Sequence, residues 1–480
     1  MKVLWLCNVM LPLIAKEYGM EASNKEGWLS GLLDVTLENQ KENKVQLAVA
    51  YPAPEEILAQ GETMIRKEIQ TAQGRFLAYG FREDVVHPDQ YDKRLEGDLL
   101  KITEDYQPDV VHCFGTEYPH TLAMCRTFSD KKRILITIQG LCSVYADAYY
   151  ADLPRRVIQR KTFRDLVKKD DILLQLEKFA RRGKMEIESV SLAGNIGGRT
   201  PWDQYYAKKW NPDARYFVMG ETLRKNFYEG RWEEEKCIPH SIFLSQGDYP
   251  IKGLHYMMMA MPRILERYPD ARVYVAGNGI TAYGTLKEKL KISSYGKYLR
   301  ELMKTCDLGD KVTFLGKLSS EEMKERYLKS SLFVCPSSIE NSPNSLGEAM
   351  LLGMPCVTAD VGGIPGIFDG GRDGVIYRGH RPEKDDFYRA VTDAGEKAPR
   401  DQEAQKAGSA GADAVGHDEE AGALRIANAL AEAVLEIWSD PQKRREYCEN
   451  ARAHALRNHD RLENYRQTIL VYGEIACGEA

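Results

Sequence analysis

The stretch Cys335–Phe368 reads CPSSIENSPNSLGEAMLLGMPCVTADVGGIPGIF. The apolar run before it ends as a strand at Pro336. A polar loop follows, and a helix opens near Asn344–Ser345. Glu340 lies in the loop and Glu348 on the first turns of the helix. The first N–H groups of a helix have no partner inside it and bind anions readily. A diphosphate fits at Asn344, Ser345 and Leu346. Glu348 then stands where a ribose diol can be held, and Glu340 where the hydroxyls of a transferred sugar can be held. Two glutamates eight apart mean little alone, because Glu is common. The strand, loop, helix and following Gly362-Gly363 give the pair its weight.

Outward from this segment, short apolar runs alternate with amphipathic stretches. The expected strands of the first half are Val3–Cys7, Val45–Ala50, Asp109–Phe114, Ile134–Gln139, Glu188–Ala193 and Tyr216–Met219. In the second half they are Ser241–Leu244, Val273–Ala276, Val312–Leu315, Leu332–Cys335, Cys356–Thr358 and Val375–Tyr377. Continuous apolar runs suit parallel strands covered on both faces. Strand–helix alternation in two blocks predicts an α/β protein of two Rossmann-like, doubly wound parallel-sheet domains facing a cleft. Such sheets bind ligands at the carboxyl ends of their strands. The pattern breaks at GRWEEEKCIPH, which sets the domains at 1–235 and 236–458, followed by a last helix at about 459–480. Residues 396–422 are small, charged and poor in large apolar side chains, the composition of a flexible surface insertion.

At 480 residues the chain is long enough for two buried cores. Its net charge of −5 gives no reason to expect nucleic acid. Ten cysteines include no Cys-x-x-Cys pair, so the usual zinc and dithiol motifs are absent and a reducing cytoplasm is expected. The N-terminal MKVLWLCNVMLPLIA is interrupted by Asn8 and Pro12 and reads as a first buried strand rather than a signal peptide. No apolar run approaches the ~20 residues of a membrane span.

Glu340-x7-Glu348, Gly353-Met354-Pro355 and Gly362-Gly363-Ile364-Pro365 together resemble the signature of glycosyltransferase family 4, retaining enzymes of the GT-B fold. Lys252-Gly253 in YPIKGLHYMMMAMPRIL resembles the family's Lys-Gly pair. Val275-Ala276-Gly277-Asn278-Gly279 resembles the Gly-x-Gly loop that comes next. The resemblance implies that Lys252 contacts a donor diphosphate, that Glu348 binds ribose, that Glu340 contacts the donor sugar and that the helix at about 459–480 returns to the first domain. Gly253, Gly277, Asn278 and Gly279 are expected beside the donor, Gly253 leaving room for the diphosphate. Lys252 is expected to be exposed at the helix start. No Asp-x-Asp occurs, so no metal and no cofactor are expected; Lys252 and helix N-termini take the leaving-group charge. The chain departs from the family in three places. Gln246 and Gly247 stand where many relatives have an Arg, Gln139 where many have a His, and Gly366 where many have a Glu.

In the first half, DVVHCFGTEYPH puts His112 at a strand end and Glu117 in the loop after it. Glu340, Lys252, His112 and Gln139 are the candidate catalytic residues, and Arg199 and Glu117 the candidate acceptor contacts. Glu26-Gly27-Trp28 opens a helix at the cleft, where Gly27 lets the backbone approach a phosphate. Residues 154–184 carry eleven Lys or Arg against four Asp or Glu, with apolar residues interleaved. Such a helix suits an anionic membrane surface. The expectation is a cytoplasmic enzyme, peripheral on the inner membrane face. It moves a sugar from a UDP- or GDP-sugar to a glycan or lipid-linked acceptor with retention, in polysaccharide or glycoconjugate synthesis. A nucleotide-sugar epimerase of the same fold and a non-catalytic nucleotide-sugar-binding homologue are the alternatives.

Overall fold

The computed structural model describes residues 1–21, 27–58, 62–382, 386–393 and 414–478. Its strands, in chain order, are β1 (Lys2–Leu6), β2 (Gln46–Pro52), β3 (Met64–Gln70), β4 (Arg75–Phe81), β5 (Val110–Phe114), β6 (Ile134–Thr137), β7 (Asn195–Gly198) and β8 (Arg215–Val218). These form one sheet of order β3-β4-β2-β1-β5-β6-β7-β8. A second sheet, of order β11-β10-β9-β12-β13-β14, holds β9 (Ile238–Leu244), β10 (Arg272–Ala276), β11 (Val312–Gly316), β12 (Ser330–Cys335), β13 (Cys356–Asp360) and β14 (Val375–Arg378).

The second sheet is all parallel, and its central strands β9 and β12 are almost wholly buried at their carboxyl ends. The first sheet is parallel except at its edge, where β3 runs antiparallel to β4. Neither β3, at the edge, nor β4 beside it was foreseen. β3 reads MIRKEIQ and buries little besides Ile69, so it lacks the apolar run of a central strand.

Three expectations need correction. Glu188–Ala193 is the end of the helix Ile172–Leu192, and the strand follows it at Asn195–Gly198. The buried positions there, Gly183, Glu186, Ser189 and Val190, repeat at helical spacing, and the helix packs on the helices Cys142–Ala148 and Pro119–Thr127. Residues 154–184 are not one helix. They form Arg155–Ile158, Phe163–Lys168 and the start of Ile172–Leu192, separated by the left-handed Lys169 and capped by Thr162 and Asp171. Residues 396–413 lie outside the described residues, but 414–422 open the helix Ala414–Ser439. Farther along that helix Ala423, Ala427, Leu430 and Val434 are buried at helical spacing and it packs on the helix Leu254–Arg267, so the chain from 414 onward is helix rather than loop.

The final helix, Arg461–Cys477, returns to the first sheet and packs on the helix Gly27–Glu38. Tyr472 anchors it there: its hydroxyl accepts from Trp5 Nε1 at 2.9 Å. Among the described residues no helix is long and apolar enough to cross a membrane.

Candidate active site

A cleft opens where the carboxyl ends of β9 and β12 face the first domain. It has a volume of about 220 Å³, and its walls include Gly27, Arg224, Lys252, Glu340, Ser345 and Glu348. Six sequence-selected residues therefore meet in one place: Gly27, Lys252, Glu340, Asn344, Ser345 and Glu348. Glu26 lies outside the described residues.

Lys252 ends the short turn Pro250–Lys252 after β9. Its ammonium lies 2.6 Å from Glu340 Oε1, with 21% of the lysine side chain and 8% of the glutamate side chain exposed. Ser337 Oγ donates to the same carboxylate oxygen at 2.8 Å. The expectation of an exposed lysine is thus corrected. Burial works against its charge, but Glu340, with Tyr249 and Tyr145, outweighs that and holds the ammonium well above the usual lysine range. Lys252 stays charged at any working pH, as an electrophilic partner for phosphate must.

Glycines brace this pair from behind. Gly253 has φ +69°, and a Cβ there would lie 1.9 Å from the carbonyl oxygen of Pro336. Its freedom serves packing against the end of β12, not room for a diphosphate. Gly362 has φ +53°, and its Cβ would meet the Glu340 carbonyl oxygen at 1.9 Å. The N–H of Gly363 donates to that same oxygen at 2.9 Å.

Glu348 sits on the helix Asn344–Leu352, whose N-cap, Pro343, offers no side-chain cap. Among the described residues the N–H groups of Asn344 and Ser345 have no acceptor, so the helix start presents free donors to the cleft. Leu346 is fully buried and faces the core instead. Burial pushes the Glu348 carboxyl up, and Arg224 partly opposes this. Arg224 Nε donates to Glu348 Oε1 at 2.7 Å.

Arg224 was missed by sequence reasoning. It is a cation in the cleft where Gln246 and Gly247 supply none, and it comes from the end of the first domain. Its chain passes so close to Gly27 that a Cβ there would lie 2.5 Å from Arg224 Cδ. Gly366 is also explained: a Cβ at that position would meet Pro201 Cδ at 2.7 Å, so a glutamate has no place there.

The remaining candidates lie outside this cleft. Gly277 closes β10 at φ +107°. Asn278 Nδ2 donates to Asp248 Oδ2 at 2.7 Å, and Gly279 lines a different cavity. Arg199 is enclosed rather than open to an acceptor. Its guanidinium bonds Glu221 Oε1 at 2.7 Å, Ser342 Oγ at 2.6 Å and the Ile138 carbonyl at 2.9 Å. Gln139 adjoins it, and its carbonyl accepts from Asn341 Nδ2. Asn341 also bonds Thr200 Oγ1 and Asp203 Oδ2, at 2.8 and 3.0 Å. These residues join the first domain to the loop that carries Glu340. Glu117 is spent on Gly140 N and Asn8 Nδ2.

His112 is a core residue. It lies 2.6 Å from Tyr472 Oη and 3.1 Å from Thr137 Oγ1. Tyr472 already accepts from Trp5, so its proton points to His112 Nδ1 and the imidazole is neutral. Burial lowers its pKa to about 3, and those of His255 and His459 to about 4. All three stay neutral in the fold but take up protons in the unfolded chain below about pH 6.5. Between pH 7 and 5 each should therefore remove about 2 kcal/mol of stability. Buried Glu186, raised to about 7, acts in the opposite sense, gaining stability as pH falls. Glu221 and Glu348, also raised by burial, act with Glu186, so the histidine contribution is isolated by substitution: lowering the pH from 7 to 5 should destabilise the wild type relative to His112→Asn by about 2 kcal/mol. An unchanged difference between the two proteins in thermal melts would show that this imidazole is not held neutral.

Residues 239–414 match the family model described as glycosyl transferases group 1. The chain is 31% identical over 167 residues to an uncharacterized glycosyltransferase of Methanocaldococcus jannaschii, a match covering 35% of this chain and 36% of that one. It spans about a third of the length of the curated relatives it matches. Sucrose-phosphate synthase from Thermosynechococcus elongatus has a similar structure, with TM-score 0.62 at 14% identity and both chains fully covered. The Anabaena protein HepE, solved with UDP-glucose, has TM-score 0.60 at 13% identity, covering 99% of this chain and 100% of that one. The fold is GT-B.

Proposed function

We propose that the protein is a retaining glycosyltransferase of family 4 type that moves a hexose from a UDP- or GDP-sugar to a glycan or lipid-linked acceptor. The observation that carries this reading is the convergence of Lys252, Glu340 and Glu348 at the ends of β9 and β12, beside free helix N–H groups. In HepE a protein of this fold holds UDP-glucose, which favours a uridine donor here.

Breaking the bond from the anomeric carbon to the diphosphate leaves both electrons on a phosphate oxygen. Lys252 and the Asn344 helix start meet that charge; a charge-assisted hydrogen bond contributes roughly 1.5–3 kcal/mol, and a helix N-terminus up to about 2 kcal/mol. With retention, the acceptor hydroxyl attacks from the face the diphosphate leaves. Its oxygen bonds the anomeric carbon, and its proton passes to the departing phosphate oxygen, the nearest base. Glu348 holds the ribose and Glu340 the hydroxyls of the sugar in flight.

The test is incubation with a panel of nucleotide-sugars, read by nucleoside diphosphate release and by the fate of the sugar. Epimerisation without release, or binding alone, would overturn the reading. No metal takes part in this scheme, so activity should survive EDTA undiminished. Loss in chelator, restored by magnesium or manganese, would refute that part.

The enzyme works at the cytoplasmic membrane face in polysaccharide or glycoconjugate assembly. Phe163, Leu166 and Val167 support this, each at least 60% exposed beside the exposed Lys161, Lys168 and Lys169. The protein should sediment with phosphatidylglycerol vesicles and be released by salt. Equal recovery with phosphatidylcholine vesicles would remove the membrane role.

A further inference from the structure

Arg224 holds Glu348 unevenly. Its Nε and Nη2 both donate to one carboxylate oxygen, Oε1, at 2.7 and 2.6 Å. An oxygen that takes two N–H donors has both lone pairs engaged. Oε2 bonds none of the described residues, yet it is not sealed from solvent, and Glu348 lines the cleft. Oε2 is therefore the oxygen left for a ligand. We propose that Arg224 is the positioning residue that makes Glu348 a selector for ribose: it fixes the carboxylate as a charged acceptor and leaves Oε2 to the ribose hydroxyls. The inference rests on the ribose role of Glu348 proposed above.

Arg224 is itself fixed in place. Its guanidinium carbon lies 4.7 Å from the centre of the Phe227 ring. Phe227 is fully buried and meets Tyr327 edge-on, with ring centroids 5.8 Å apart. On another side the arginine stem runs past Gly27, where a Cβ would lie 2.6 Å from Cγ as well as 2.5 Å from Cδ. The bare backbone of Gly27 thus makes room for the arginine. A planar fork held between a ring, a glycine and a carboxylate loses little freedom in making its bonds, whereas a lysine would bring a single ammonium on a flexible stem.

Charge is the second part of the argument. Burial raises the Glu348 carboxyl, and Arg224 opposes that. The other ionisable groups nearby are committed elsewhere. Lys252 and Glu340 pair with each other, and Tyr327 donates its hydroxyl to the Ser345 carbonyl at 2.9 Å. A hydrogen bond to an ionised acceptor is roughly twice as strong as one to a neutral acceptor. Without Arg224 the carboxyl keeps its proton to higher pH, so its hold on hydroxyls weakens most at low pH and recovers as pH rises.

The test compares UDP with 2′,3′-dideoxyuridine diphosphate by titration calorimetry, and GDP with its dideoxy analogue. The wild type should prefer the ribonucleotide of at least one pair by about tenfold or more, the worth of one hydrogen bond to a charged group. Arg224→Met should reduce that preference to within about twofold near pH 6 and regain part of it near pH 9. Arg224→Lys, which keeps the charge, should fall between the two. In a Glu348→Gln background Arg224→Met should leave the preference unchanged, because the group through which the arginine acts is gone. That double variant also lacks the unpaired buried charge that burdens Arg224→Met. An arginine that only braced the fold would weaken both nucleotides of a pair in parallel. A wild-type preference retained in Arg224→Met, or in Arg224→Lys where the methionine variant does not fold, overturns the selector role and leaves the transferase reading standing. A wild type that binds none of the four nucleotides overturns both.

Discussion

Replacing Lys252 by alanine is expected to slow sugar transfer about a hundredfold, from the loss of ~3 kcal/mol of stabilisation on the departing diphosphate. Gln246 and Gly247 bring no second cation from the same loop, and Arg224 is bound to Glu348. Lys252 is therefore the cation placed beside Glu340, where the sugar–phosphate bond would break. The sequence alone predicts a silent effect on stability, as for an exposed lysine. The structure reverses that expectation. Removing one member of a largely buried pair leaves Glu340 without its counter-charge, a change that costs about 3–5 kcal/mol when the pair is fully buried. The melting temperature should fall, by less than that limit because the lysine is partly exposed. Combining Lys252→Ala with Glu340→Gln should recover the melting temperature but not the turnover. Turnover of the single variant within about twofold of wild type, where a lost catalytic contact costs several kcal/mol, would end the phosphate assignment.

Glu348→Ala should weaken UDP binding about tenfold or more, the equivalent of at least one hydrogen bond to a charged group. Glu340→Ala should leave UDP affinity nearly intact and act on turnover. The two carboxylates differ in what holds them. Glu348 is paired across the domain boundary with Arg224, while Glu340 is paired within its own domain with Lys252. Ribose hydroxyls arriving at Glu348 must share its oxygens with Arg224. Titration calorimetry with UDP measures both variants. Equal affinity of wild type and Glu348→Ala would remove the ribose role.

Much of this arrangement is legible in the chain because buried parallel strands are written as unbroken apolar runs. The runs at β1, β2, β5, β6 and most of the second sheet sit within a residue or a few of their expected places. β3 was illegible for the converse reason: MIRKEIQ at a sheet edge alternates toward solvent. The Lys252, Glu340 and Glu348 cluster was legible because each residue follows closely on a buried strand, in the loop or helix that leaves the carboxyl ends of β9 and β12. Arg224 was not, since 124 residues separate it from Glu348 and only tertiary packing brings them together. The gap at Gln246 and Gly247 was the one hint that a cation arrives from elsewhere. His112 and Arg199 misled because a strand end places a side chain either in the cleft or under it, and the chain does not say which. The partner of His112, Tyr472, lies 360 residues along the chain, and that of Arg199, Glu221, comes just after the next strand, β8.

The bonds from Asn341 to Thr200 and Asp203, and from Ser342 to Arg199, have a consequence for recombination between relatives. The loop that carries Glu340 is encoded in the second half of the gene but is registered against the first. A hybrid joining the first half of one homologue to the second half of another would inherit two sides of a seam that never evolved together. Its nucleotide pocket would keep its own residues, yet its glutamate would rest on foreign footing. Such hybrids should regain activity when positions 199–203 travel with 341–342, whichever parent supplies the rest.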